Sequence, residues 1–237
     1  MRDFSKLSFI QKGTGKDMVF FHGYLSCKET FLAQIEYFSK FYRVTAFDFL
    51  GFGKSPALSE PFSVSDYAAW TADALEYLNV KNPHLIAHSF GVRVAVKMVA
   101  QRGQVFDKLL FTGPAGIVER RGLSYKIKVG AYRVCKRVFP RFAERKFGSK
   151  EYRSLSPLMK ESYKKIVNED LRVDAQNIKR PLLIALGRDD KVTPLSQATI
   201  YKQNVQGSVI RLLDGGHFCF LEHPTPFNLI AEEFFYD

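Results

Sequence analysis

Three short stretches of the chain hold the residue types that acyl-transfer chemistry needs. "AHSFG", residues 87–91, sets Ser89 at the end of an apolar run with small residues two positions away on either side. "GRDDKVTP", residues 187–194, brings two adjacent carboxylates, Asp189 and Asp190, and "GGHFCFLEHP", residues 215–224, holds His217 behind a pair of glycines. A serine hydroxyl is a weak nucleophile until an imidazole takes its proton, and a buried acid is what orients that imidazole. A fourth stretch, "HGY" at residues 22–24, places Gly23 at the end of another apolar run, where it frees the next N–H to point into a cleft. The backbone N–H groups of Tyr24 and Phe90 could then form an oxyanion hole, each donor stabilising developing charge by about 3 kcal/mol.

These residues need a scaffold that delivers them to one place. "LSFIQ", "DMVFFH", "YRVTAFD", "PHLIAHS", "KLLFTG", "PLLIALG" and "SVIRLLD" read as strands, several of them apolar on both faces as central parallel strands must be. Between them "KETFLAQIEYFSKF", "SVSDYAAWTADALEYLN", "GVRVAVKMVAQRG" and "LSQATIYKQN" read as helices, and "TPFNLIAEEFF" as a closing one. Alternation of this kind predicts an α/β fold, a mostly parallel sheet with helices on both faces. Serine, acid and histidine then each follow a strand, in the chain order Ser, Asp, His. Ser89 falls on a strand-to-helix turn so tight that its backbone is strained and its neighbours Ala87 and Gly91 must be small. An ordinary helix N-cap is the plainer reading of such a serine.

The charge is placed as unevenly as the chemistry. The chain has 237 residues and a formal charge of +11; residues 116–180 carry eighteen Lys or Arg against seven Asp or Glu, and the remainder seventeen of each. Within this stretch "YKIKVGAYRVCKRV" repeats its apolar residues at helical spacing, and Ser156 followed by Pro157 marks a helix start for "LMKESYKKIVNED". The whole reads as a basic, mostly helical segment spliced into an electroneutral domain.

In the joint presence and order of "HGY", "FDFLGFGKS", "AHSFG", "GRDDKVTP" and "GGHFCFLEHP", the chain resembles the α/β-hydrolase superfamily along essentially its whole length. The likeness is to the compact serine-nucleophile branch of carboxylesterases and carbon-carbon bond hydrolases. The resemblance implies Ser89 as nucleophile, His217 as base and Asp190 rather than Asp189 as acid, with His22, Gly23 and Gly91 supporting the motifs. It also implies a helical lid inserted after the sixth strand, so that 1–115 and 181–237 form the core and 116–180 the lid. Two departures stand out: Ala87 where the family more often has glycine, and Val92 where a second small residue is common. His88 is expected to point away from the reacting centre, His84 and His223 to be structural or exposed, Glu222 to anchor the loop of His217, and His22 to brace the oxyanion turn.

Other chemistry fits less well. "FDFLGFGKS" ends in Gly-Lys-Ser, but a phosphate loop needs glycine where Asp48 stands, and the resemblance gives Asp48, Gly51, Gly53 and Ser55 the role of shaping a loop beside the site. Five histidines without paired spacing predict no metal, and no cofactor is expected. Cys27, Cys135 and Cys219 read as free thiols of a reducing compartment. No run reaches the roughly 20 apolar residues of a membrane span, and a cytoplasmic location is the default expectation. No nucleic-acid module is present.

Three functions remain in view: a small-molecule esterase working through an acyl-enzyme, a carbon-carbon bond hydrolase or eliminating lyase on the same residues, and a non-catalytic binding protein using the basic segment. Tyr125, Tyr132, Phe139, Phe142, Phe147 and Tyr152 are available to line a cleft, and the basic charges are either a solvated outer face or an attraction for an anionic substrate, an acidic carrier protein or a membrane surface.

Overall fold

The computed structural model describes residues 2–118, 152 and 155–236. Seven strands form one sheet: β1 (Phe9–Lys12), β2 (Asp17–Phe21), β3 (Arg43–Phe47), β4 (His84–His88), β5 (Leu109–Thr112), β6 (Leu182–Gly187) and β7 (Val209–Leu213). Their spatial order is β1-β3-β2-β4-β5-β6-β7. Only the β1–β3 pair is antiparallel, so the mostly parallel α/β sheet expected from the alternation is present.

The helices are α1 (Leu32–Phe38), α2 (Val64–Tyr77), α3 (Phe90–Arg102), α4 (Pro157–Asn168), α5 (Arg172–Ala175), α6 (Leu195–Asn204), α7 (Cys219–Glu222) and α8 (Pro224–Tyr236). Successive residues of a strand point to opposite faces, and β2 shows the result. Val19 and Phe21 pack into a core with α2, α3 and α6, while Met18 and Phe20 pack into a second core with α1 and α8. Covering both faces is why β2, β4, β5 and β6 carry no polar alternation and are buried along their whole length.

Local signals set the helix starts. Ser63 caps α2 in a reciprocal capping box with Asp66. Ser156 accepts from the Met159 N–H at 3.2 Å with Pro157 behind it, as the Ser-Pro pair predicts.

The basic stretch leaves the sheet after β5 and returns at β6, so among the described strands it follows the fifth. "YKIKVGAYRVCKRV", with Cys135, lies outside the described residues, as do Tyr125, Tyr132, Phe139, Phe142 and Phe147. Cys27 and Cys219 are free thiols. Among the described residues no helix is long and apolar enough to cross a membrane.

The base of the insertion is tied to the core. The Leu171 N–H donates to the Gly116 carbonyl at 2.8 Å, and the Tyr201 hydroxyl to the Ala115 carbonyl at 2.7 Å. Lys97 on α3 bridges Glu169 at 2.8 Å and Asp174 at 2.7 Å.

Candidate active site

β4 ends at His88 and α3 begins at Phe90, leaving one residue to make the turn. That residue, Ser89, has φ +50° and ψ −106°, a conformation L-residues avoid. It is the N-cap of α3, yet its side chain makes no capping hydrogen bond, which sets it apart from an ordinary cap serine. The turn also explains its small neighbour: a Cβ on Gly91 would collide with the Phe21 carbonyl. The first N–H of α3, that of Phe90, has no partner within the helix and adds to the positive end of its dipole.

The turn after β2 packs directly on this elbow. A Cβ on Gly23 would lie 2.8 Å from His88 Nδ1 and 3.6 Å from Ser89 Cβ, so only glycine lets the two turns meet. His22 Nδ1–H donates to the Gly23 carbonyl at 2.7 Å, while its Nε2 accepts from the Phe49 N–H at 3.0 Å. Burial holds this ring neutral, with its pKa lowered to about 4. The Gly23 carbonyl and the Tyr24 N–H share one peptide plane and point in opposite directions. The imidazole of His22 therefore sets where the Tyr24 N–H points.

Acid and imidazole meet at the ends of β6 and β7. His217 Nδ1–H donates to Asp190 Oδ2 at 2.9 Å. Asp190 is buried and also accepts from the N–H groups of Val192 at 2.8 Å and Thr193 at 2.9 Å, both on Oδ1, and from the Thr193 hydroxyl at 2.8 Å on Oδ2. Burial pushes this carboxyl up, but the bonds from His217 and Thr193 outweigh it and hold it below its ordinary value. Asp189 is exposed, in keeping with its expected place as the solvated neighbour. Two close approaches fix the histidine loop: the Gly216 N–H donates to Glu222 Oε2 at 2.8 Å, and Gly113 lies so near His217 that a Cβ there would be 2.8 Å from its Cε1.

His88 is buried under the histidine, and its Nε2–H donates to the His217 carbonyl at 3.0 Å with the two rings 4.6 Å apart. Its pKa is lowered to about 3 by burial, so it is a neutral donor. His84 is buried and His223 exposed.

The Gly-Lys-Ser loop is built around its aspartate. Asp48 accepts from the Lys28 N–H at 2.7 Å, the Lys54 N–H at 2.9 Å and the Lys28 ammonium at 2.9 Å, and Gly53 lies against its carboxylate. The Lys54 side chain is 81% exposed and turned to solvent. Among the described residues no group of three or more His, Cys, Asp or Glu gathers as a metal site would.

Ser89, Phe90, Tyr24 and His217 line one cavity of about 760 Å³. Its apolar wall includes Ile117, Leu155, Tyr163 and Ile166 from the basic stretch. Of the polar residues of this cavity, Thr193 and Arg93 carry only weak sequence signals. Thr193 stands three residues after Asp190, the spacing at which a hydroxyl can close a turn onto a carboxylate. Arg93 interrupts the otherwise apolar start of α3, and that interruption was its signal.

The chain matches the alpha/beta hydrolase family over residues 18–228. It is 30% identical to the (E)-2-((N-methylformamido)methylene)succinate hydrolase of Acinetobacter baylyi over 101 residues, 43% of this chain but only 38% of that protein's length. It is 25% identical to the AB hydrolase superfamily protein YisY of Bacillus subtilis, over 94% of this chain and 92% of the relative. Among solved structures, an esterase from Exiguobacterium antarcticum superposes with a TM-score of 0.78 at 22% identity, covering 98% of this chain and 96% of the other. With the fold, the order of its motifs and the match all in agreement, the chain belongs to the alpha/beta hydrolase family.

Proposed function

We propose that the protein is a serine hydrolase that opens an ester or related acyl bond of a small molecule through an acyl-enzyme. Ser89 Oγ attacks the carbonyl as His217 Nε2 takes its proton, and Asp190 stabilises the imidazolium and keeps Nδ1 protonated. The N–H groups of Tyr24 and Phe90 receive the oxyanion. The protonated His217 then gives its proton to the leaving group, and a water molecule repeats the cycle on the acyl-enzyme.

The observation that carries this reading is the Asp190–His217 hydrogen bond of 2.9 Å at the wall of the cavity that also exposes the strained Ser89. A binding protein has no use for backbone strain at a residue whose hydroxyl caps nothing. Residues 116–180 act as a lid, with Ile117, Leu155, Tyr163 and Ile166 lining the acyl side of the cleft. Hydrolysis of 4-nitrophenyl esters of graded chain length tests the reading. The unmodified protein should turn them over, and Ser89→Ala should be slower by at least about 10³-fold. Equal activity in the variant would refute the assignment.

A further inference from the structure

Arg93 sits one turn into α3, four residues beyond Ser89 and so about 6 Å farther along the helix axis. It is 8% exposed and lines the same cavity. Its Nη1 donates to two main-chain carbonyls at the end of α4, Ile166 at 2.8 Å and Glu169 at 2.9 Å, which uses both of that nitrogen's hydrogens. Among the described residues no hydrogen bond engages Nε or Nη2.

Among the described residues no carboxylate forms an ion pair with it. Glu169 and Asp174 are both taken by Lys97, at 2.8 and 2.7 Å, and Asp170 is paired with Arg172 at 3.3 Å. A buried guanidinium without an acid partner is unfavourable unless something else supplies the charge. Burial lowers its pKa, and the Tyr201 hydroxyl and the Glu169 carboxylate act against that shift.

The free donors have a definite shape. Nε–H and Nη2–H are parallel and match the two oxygens of a carboxylate. The chain uses this fork elsewhere, where Arg43 grips Asp17 through Nε at 2.6 Å and Nη2 at 2.8 Å. Resting on the hydrolase reading above, we infer that Arg93 receives a carboxylate of the substrate through Nε and Nη2, so that the preferred substrate is an acyl compound carrying a carboxylate within a few bonds of the scissile carbonyl. The two α4 carbonyls hold the guanidinium plane in place for this.

The test compares mono-4-nitrophenyl adipate with 4-nitrophenyl hexanoate, which share chain length and leaving group and differ in the terminal carboxylate. The unmodified protein should favour the adipate ester in kcat/KM, chiefly through KM. Arg93→Gln should lower kcat/KM for the adipate ester by about tenfold or more while changing the hexanoate ester by no more than about threefold. Arg93→Lys, which keeps the charge and loses the fork, should fall between and serves if the glutamine variant does not fold. An equal loss on both esters, or no preference in the unmodified protein, would overturn the subsite. Labelling of Ser89 by a fluorophosphonate in the same preparations separates the two readings: labelling that persists confines the failure to Arg93, and its absence from the unmodified protein overturns the hydrolase reading and this one together.

Discussion

Replacing Asp190 by asparagine changes one atom of the carboxylate and should reverse the hydrogen bond beside it. The Val192 and Thr193 N–H groups both donate to Oδ1, so an amide in this place must keep its oxygen there. Its NH₂ group then occupies the Oδ2 position, 2.9 Å from His217 Nδ1. A donor facing Nδ1 forces the proton onto Nε2, and an imidazole that presents Nε2–H to Ser89 cannot take the serine's proton. The imidazolium also loses its counter-charge. Together these should lower kcat by about 10⁴-fold, roughly 5 kcal/mol of transition-state stabilisation, while substrate binding and the folded structure are kept. Steady-state hydrolysis of a 4-nitrophenyl ester measures the loss, and a circular-dichroism melt confirms folding. Asp189→Asn, at an exposed position, should stay within about twofold of the unmodified protein. If the Asp190 variant kept a tenth of its activity, or if Asp189→Asn were the one that failed, the assignment of the acid would be wrong.

Gly23→Ala tests the contact between the two turns: with its Cβ 2.8 Å from His88 Nδ1, the variant must shift the Tyr24 peptide, and kcat on the same ester should fall by about 10²-fold or more. Unchanged turnover would mean that the Tyr24 N–H carries no charge in the reaction. Acid stability follows from three buried rings, His22, His84 and His88, which stay neutral in the fold down to about pH 4 for the first two and about pH 3 for the third but bind a proton near pH 6.5 when unfolded. Unfolding therefore takes up protons below about pH 6.5, and stability should drop between there and about pH 4 by up to about 3 kcal/mol for each ring. Asp190 works at the lower edge of that range: held below its unfolded value, it contributes stability above that value and loses it as the pH falls through its own. Urea melts at pH 7 and pH 4.5 read the difference, and equal midpoints would contradict it.

Much of this fold is legible in the sequence because its strands are buried on both faces. Continuous apolar runs such as "DMVFF" and "PLLIALG" can sit only in the middle of a covered sheet, so β2 and β6 announce themselves. The capping pairs Ser63–Asp66 and Ser156–Pro157 are equally local. The spatial order of the strands is not local, and neither is the antiparallel placing of β1 at the edge, which depends on its register with β3 more than thirty residues away. The same division runs through the site. The glycines around Ser89 and His217 are visible because close approach demands them at fixed spacings, whereas the partners of Arg93 lie 73 and 76 residues away on an inserted helix. The reach of the Thr193 hydroxyl to both Asp190 and His217 depends likewise on how two strand-end loops meet.

The central claim is that Ser89 is an activated nucleophile, and a fluorophosphonate probe reacts only with a serine whose proton is being taken. Incubating the folded protein with the probe and locating the adduct by mass spectrometry, beside Ser89→Ala, tests it most directly. A single adduct on Ser89 that disappears in the variant is the predicted result. An adduct on another residue, or none on folded protein, would contradict it.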